Sequence, residues 1–113
     1  MGAMAGHEET HRLPEYADRV LTVAEGIPPG HVLTYKDVAD RVGEGGPRQV
    51  GRVMAVYGGA VPWWRVVRAD GRPLPGHERR ALEQYRVEGT PLRELADGTQ
   101  RIDMRRARWD GRD

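Results

Sequence analysis

Glycine and proline cut this chain into short segments, and their positions limit what it can fold into. The 113 residues include 15 glycines and 8 prolines. They cluster at residues 28–30, 43–47, 58–59 and 71–76, and each cluster favours a turn over a continuing helix or strand. The segments between them are too short for a membrane-spanning helix. The length suits one compact domain, which we predict to be mainly α-helical with a minor β component.

Composition excludes several classes of site. The chain has no cysteine, so it can form neither a disulfide nor a thiol redox centre. Its four histidines lack metal-ligand spacing, and we expect no metal and no cofactor. The first residues lack the charged and apolar regions of a secretory signal peptide. We therefore predict a disordered tail over residues 1–12 and a cytoplasmic protein that does not associate with a membrane.

Two short helices are predicted on either side of a glycine-rich turn. Thr34 is a predicted N-cap, and Asp37 follows three residues later, as in a capping box. The helix that begins there is expected to span residues 35–42. Pro47 suits the first position of the next helix, whose apolar residues have helical spacing at Val50, Val53, Met54 and Tyr57. This pattern favours a helix-turn-helix.

The second half of the chain predicts a wing and one more helix. Residues 64–68 favour a strand, and residues 69–72 favour a hairpin turn, so we expect a short β-hairpin wing. A helix is expected over residues 77–88, and Gly89 is its predicted stop. The pattern weakens after Pro91. We therefore predict a winged helix-turn-helix domain over residues 13–104 and a basic tail over residues 105–113.

The charges are distributed unevenly along the chain. The net charge is only +1, which does not by itself indicate a nucleic-acid partner. Residues 30–72, however, carry seven basic and four acidic side chains, whereas acidic side chains outnumber basic ones over residues 1–29. A basic middle third is typical of a nucleic-acid face. An arginine-rich solvated surface would explain it equally well.

Three segments in the right order resemble one protein family. Residues 27–39, 47–54 and 61–67 are similar, in turn, to the Ile-Pro-x-Gly segment, the recognition helix and the Pro-Cys-His-Arg-Val strand of the O6-alkylguanine-DNA alkyltransferases. The resemblance spans about residues 14–92 and implies the fold of the alkyltransferase C-terminal, DNA-binding domain. Trp63 stands where that family has its alkyl-accepting cysteine, and Trp64 stands where it has histidine. Because alkyl transfer requires a thiolate, the chain resembles the non-enzymatic alkyltransferase-like proteins, and we expect no catalytic residue.

The resemblance also implies roles for individual residues. Tyr35 would press on a backbone phosphate, Arg48 would fill the place of the rotated nucleotide, and Trp63 would line its pocket. The expected DNA contacts are Thr34, Tyr35, Arg48, Gln49, Gly51 and Arg52. The expected lesion pocket comprises Tyr35, Val61, Pro62, Trp63, Trp64, Arg65, Val66 and Arg72.

Several of these assignments have alternatives. Tyr35 could simply pack at the start of its helix, and Gly51 could permit close helix packing instead of a close approach to DNA. Trp64 could fill the core. Glu88 matches the acid that orients the missing histidine and would survive as a hydrogen-bond acceptor. Either Arg72 or His77 could supply the basic lesion contact that some relatives have.

The resulting functional hypothesis is a monomer that acts at the nucleoid. It would bind double-stranded DNA containing O6-alkylguanine in the minor groove, rotate the damaged nucleotide outward without alkyl transfer, and flag it for nucleotide excision repair proteins. The alternative is a winged-helix transcription regulator without lesion specificity, although no dimerisation helix is evident. A transferase with another nucleophile is disfavoured because the chain also lacks serine.

Overall fold

The computed structural model describes residues 15–112, so the predicted N-terminal tail lies outside the described residues. Helix α1 covers residues 15–26. The elements that follow are β1 (Leu33–Thr34), α2 (Tyr35–Val42), α3 (Pro47–Tyr57), β2 (Val66–Val67), α4 (Glu78–Glu88), β3 (Leu92–Glu94), β4 (Gln100–Ile102) and α5 (Met104–Ala107). The prediction of a mainly helical chain with little sheet is confirmed.

The helix-turn-helix forms where the capping residues predict it. The Thr34 hydroxyl accepts a hydrogen bond from the Asp37 N–H at 3.0 Å, and the Asp37 carboxylate accepts one from the Thr34 N–H at 3.0 Å. This capping box satisfies backbone donors that the first turn of α2 leaves free. Gly43 ends α2 in the left-handed conformation, with φ of 87°, and its N–H bonds back to the Ala39 carbonyl. Pro47 then occupies the first turn of α3.

The sheet pairing differs from the prediction. Strand β2 pairs with β1 in parallel, with Leu33 opposite Val66 and Thr34 opposite Val67. The turn at residues 69–72 does form, because the Arg68 N–H bonds to the Arg72 carbonyl at 2.8 Å. No strand follows it, since Pro73 and Pro75 lack the N–H groups that a ladder needs. The predicted β-hairpin wing over residues 64–72 is therefore wrong.

The antiparallel hairpin lies later in the chain. Strands β3 and β4 pair with Leu92 opposite Ile102 and Glu94 opposite Gln100. Gly98 in the connecting turn has a φ of 87°, a conformation that glycine adopts without strain. This hairpin was not predicted, because each strand has only three residues and most of them are polar.

Two clusters of buried side chains make up the core. The first joins α1, α2 and α3 through fully buried valines, including Val20, Val38 and Val50. The second joins α4, the hairpin and α5. Trp63 packs against both clusters, so the segment that carries it connects the helix-turn-helix to the C-terminal half. Within residues 15–112, no helix combines the length and the apolar character needed to cross a bilayer.

The C-terminal segment packs on the domain instead of forming a separate tail. Ala107 is fully buried, and its carbonyl accepts a hydrogen bond from the Val32 N–H at 2.9 Å. The Trp109 N–H donates to the Val32 carbonyl at 2.9 Å. Arg41 lies 4.3 Å above the Trp109 ring, and Arg108 pairs with Asp37. The predicted boundary after residue 104 is corrected accordingly: residues 105–109 belong to the domain.

Candidate nucleic-acid interface

The outward face of α3 carries exposed arginines. Val50, Val53 and Met54 face the core, so Arg48 and Arg52 lie on the opposite side of the helix. Both arginines are exposed, and neither forms a salt bridge within the described residues. The first turn of α3 contains no acidic side chain, so the positive end of the helix dipole adds to the charge of Arg48. This face suits an anionic partner such as a DNA backbone.

Gln49 has a structural contact that the sequence analysis did not foresee. Its side-chain oxygen accepts a hydrogen bond from the Gly46 N–H at 2.9 Å and so caps the start of α3. The side-chain amide nitrogen is not used in this bond. Only that end of Gln49 remains for the DNA contact that the resemblance implies.

Tyr35 and Gly51 meet between α2 and α3. A Cβ atom added to Gly51 would lie 3.7 Å from the Tyr35 ring, which is ordinary van der Waals contact. The Tyr35 hydroxyl is buried and has no hydrogen-bond partner among the described residues. Burial raises the pKa of Tyr35, and the nearby positive charge of Arg68 opposes this effect without cancelling it. The phenol therefore stays neutral at physiological pH and keeps a free donor.

Within residues 15–112, two other buried side-chain atoms also lack a hydrogen-bond partner. They are His31 Nδ1 and Thr90 Oγ1, and neither residue belongs to the helix-turn-helix. An unpartnered buried hydroxyl is costly in a folded protein. Tyr35 is thus the one residue of the predicted DNA-contact set, within the described range, whose side chain carries such an unsatisfied group.

Trp63 occupies a short 3₁₀ turn, Trp63–Arg65, and is half-buried. Its ring centroid lies 5.6 Å from that of Trp64 in a nearly perpendicular arrangement, and 5.5 Å from that of His77. Pro62 is also partly exposed, whereas Val61 and Val66 are buried at 6% and 1% exposure. The two valines support this turn from the core, and the accessible surface comes from Pro62, Trp63 and the aromatic neighbours of Trp63.

Trp64 and Arg65 both turn toward Glu88. The Trp64 indole donates to the Glu88 carboxylate at 2.9 Å, Arg65 Nε donates to it at 3.1 Å, and the Gly30 N–H donates to it at 3.2 Å. The Tyr85 hydroxyl donates to the Trp64 carbonyl at 2.6 Å. Burial alone would raise the pKa of Glu88, but the hydrogen bonds from Arg65 and Trp64 outweigh it and lower that pKa.

This network confirms the prediction that Glu88 serves as a hydrogen-bond acceptor. The polar groups of Trp64 and Arg65, both expected in the lesion pocket, are engaged in this network. The Arg65 side chain is only 13% exposed. Both residues fix the turn that carries Trp63.

Arg72 and His77 lie on different surfaces. His77 contacts the Trp63 ring, whereas Arg72 faces Asp70 at 3.6 Å and lines a separate cleft of about 660 Å³. None of the other predicted lesion-pocket residues lines that cleft. The geometry therefore places His77, and not Arg72, beside Trp63. Within residues 15–112, no group of acidic, histidine or cysteine side chains could hold a metal ion.

Comparison with known proteins identifies the family of this chain. A family model described as "6-O-methylguanine DNA methyltransferase, DNA binding domain" matches residues 15–88. A "DNA base-flipping protein" of Escherichia coli K12 is 33% identical, over 91% of this chain and 81% of its own length. The chain belongs to the alkyltransferase-like members of this family.

Other similarities agree with this membership. The alkyltransferase-like chain shares 42% identity with a "Methylated-DNA--protein-cysteine methyltransferase" of Methanothermobacter thermautotrophicus, over 50% of this chain and 33% of that protein. The crystal structure of S. pombe Atl1 in complex with damaged DNA containing O6-carboxymethylguanine superposes with a TM-score of 0.73. The match has 27% identity and covers 86% of this chain and 96% of the yeast chain. The alkyltransferase C-terminal-like domain predicted from the sequence is thus shown.

Proposed function

We propose that this protein binds double-stranded DNA containing O6-alkylguanine and rotates the modified nucleotide out of the helix without accepting its alkyl group. One observation carries the proposal. An exposed Arg48 and an unpartnered Tyr35 hydroxyl lie on one helix-turn-helix. The chain belongs to a methyltransferase family but itself contains no cysteine. The "DNA base-flipping protein" relatives and the Atl1 complex with damaged DNA support it.

Different residues make different contacts during nucleotide rotation. Opening a base pair costs a few kcal/mol, and the protein must supply that free energy through new contacts. The planar guanidinium of Arg48 can stack on neighbouring bases and hydrogen-bond the unpaired base opposite the lesion. The Tyr35 hydroxyl is buried in the free protein, so its ring must turn outward before it can donate to a backbone phosphate, which is a stronger acceptor than a neutral group. Trp63 and His77 offer aromatic surface to the rotated base.

Without a thiolate, no alkyl transfer follows DNA binding. The protein is then released unchanged, and its biological output depends on what recognises the complex. We propose that it acts as a monomer at the nucleoid and marks the lesion for nucleotide excision repair. This route suits a protein that finds damage but has no group with which to remove it.

The test compares two duplexes that differ only by O6-methylguanine in place of guanine, at a fixed salt concentration. We expect the protein to bind the modified duplex at least about ten-fold more tightly, a difference that one or two new contacts supply. Arg48→Ala should remove most of this preference. Arg80→Ala, at an exposed arginine on α4, is the matched control and should preserve it.

Mass spectrometry of the protein after incubation should show no added methyl group. Equal affinity for both duplexes, with binding that falls steeply with salt, would instead indicate the transcription-regulator class or a general DNA-binding module. An added methyl group would contradict the absence of alkyl transfer.

A further inference from the structure

A cleft of about 660 Å³ lies between residues 68–79, helix α4 and the β3–β4 hairpin. Its floor is apolar and includes the partly exposed Leu82 and Leu92 together with the ring of Tyr85 and the side chain of Ile102. Pro73 and Pro75 form one wall. A surface of this kind can hold apolar side chains of a partner.

Arginines surround this floor. Arg68, Arg72, Arg79 and Arg101 line the cleft. Within the described residues, only Arg72 of these four has a carboxylate close enough to count as an ion pair, and that pair with Asp70 is long at 3.6 Å.

Two acids, Glu78 and Asp97, also line the cleft and offset part of this positive charge. Glu78 accepts hydrogen bonds from the Gly76 N–H, and Asp97 accepts them from the Thr99 N–H and hydroxyl. Both carboxylates are therefore engaged in holding local turns. The lining therefore has four arginines against two acids and a net positive charge, and within the described residues only the long Arg72–Asp70 pair engages one of the four arginines.

The cleft is lined by residues outside the two helices of the helix-turn-helix, although Arg68 on its rim lies near Tyr35. None of its lining residues belongs to α2 or α3. The β3–β4 hairpin, which supplies Leu92, Arg101 and Ile102, also lies outside residues 15–88, the part that the methyltransferase family model matches. A partner in the cleft would therefore leave the outward face of α3 available for DNA.

We propose that this arginine-rimmed cleft binds an acidic peptide segment of another protein. Aliphatic or aromatic side chains of the segment occupy the floor, and flanking Asp or Glu side chains pair with the arginines. Charge complementarity selects such a partner, and the apolar floor favours a peptide over a nucleic-acid backbone, which has no apolar side chains to place there. This inference goes beyond DNA binding because it provides a contact for a protein that recognises the DNA complex.

The experiment is a selection of displayed random 12-residue peptides against the intact protein bound to the O6-methylguanine duplex. We expect the recovered peptides to combine several Asp or Glu residues with a central aliphatic or aromatic residue. Fluorescence anisotropy with one synthetic peptide of this consensus should show its affinity fall about ten-fold or more in the Arg79→Glu/Arg101→Glu variant, because two attractions become repulsions.

The matched control is Arg80→Glu/Arg106→Glu, which reverses two exposed arginines that do not line the cleft and has the same net charge. It should keep peptide binding within about two-fold of the wild type, as expected for screened charges at a distance. Recovery of no acidic-apolar consensus, or equal loss in both double variants, would overturn the proposal. So would a loss of duplex affinity in Arg79→Glu/Arg101→Glu greater than in the control, since the cleft would then be a DNA contact.

Discussion

The substitution Tyr35→Phe removes only the hydroxyl oxygen and tests whether this group contacts DNA. In the free protein the Tyr35 hydroxyl is buried without a hydrogen-bond partner among the described residues. The hydroxyl of Tyr85, by contrast, donates to the Trp64 carbonyl at 2.6 Å. The same substitution, tyrosine to phenylalanine, therefore removes an unsatisfied group at one position and a formed bond at the other.

The two variants should change stability in different ways. A typical intramolecular hydrogen bond contributes about 0.5–1.5 kcal/mol, so Tyr85→Phe should lower the free energy of unfolding by about that amount. Tyr35→Phe loses no such bond and removes a buried polar group, so its free energy of unfolding should stay the same or rise by up to about 1 kcal/mol.

The two variants should rank in the opposite order for DNA affinity, with the larger loss in Tyr35→Phe. A hydrogen bond to a charged acceptor is worth about 1.5–3 kcal/mol, which corresponds to a loss of about ten- to hundred-fold in affinity for the O6-methylguanine duplex when Tyr35 loses its hydroxyl. Tyr85→Phe should bind the duplex like the wild type. Urea unfolding followed by circular dichroism and duplex titration by fluorescence anisotropy give the two measurements.

The reasoning would be refuted by a Tyr35→Phe variant that is destabilised as much as Tyr85→Phe, because the hydroxyl would then have a partner in the free protein. Unchanged duplex affinity in Tyr35→Phe would separately refute the phosphate contact. Since the two readouts are independent, each failure identifies a different step of the argument.

Three further predictions follow from the packing. Gly51→Ala should raise the free energy of unfolding by up to about 1 kcal/mol, because the added methyl group meets the Tyr35 ring at ordinary contact distance; if the backbone of α3 approaches DNA closely there, duplex affinity should fall in the same variant. Glu88→Ala should destabilise the fold by about 3 kcal/mol at pH 7, measured by urea unfolding, because it leaves the buried Arg65 unpaired. Since the folded-state pKa of Glu88 is lowered, this stabilisation is complete above the unfolded-state pKa of about 4.3 and is lost as the pH falls through the lower folded value, so wild type and variant should converge in acid. After deletion of residues 105–113, cooperative thermal unfolding at the temperature of the full chain should be lost, because Ala107 and its backbone hydrogen bonds close the core. A melting curve that matches that of the full chain would instead support a separate tail.

Local sequence rules predicted the helix-turn-helix well. Thr34, Asp37, Gly43 and Pro47 act within one or two turns of the backbone, and the structure places each in the capping or terminating role that its chemistry favours. The acceptor role of Glu88 was also predicted, although through a family resemblance, since nothing in local spacing links it to Trp64. Elements whose stability arises from neighbouring residues are thus accessible to sequence reasoning.

The errors concern contacts between distant parts of the chain. Strand β2 pairs with β1 across more than thirty residues, so no local pattern shows that the pairing is parallel. The C-terminal segment has the composition of a basic tail, yet Ala107 and Trp109 hold it against Val32. Arginine-rich composition concealed this packing because exposed charges outnumber the few side chains that are buried.

The turn that carries Trp63 is held by hydrogen bonds from its neighbours. The Trp64 indole N–H donates to Glu88, and an indole has no proton-accepting ring nitrogen. An indole can hold the turn but cannot act as a base, and Trp63 cannot act as a nucleophile. The role of Glu88 is then limited to positioning the turn that carries Trp63. Trp64→His should keep the fold through the same acceptor and should show no methyl transfer by mass spectrometry, because the chain has no cysteine to supply a thiolate.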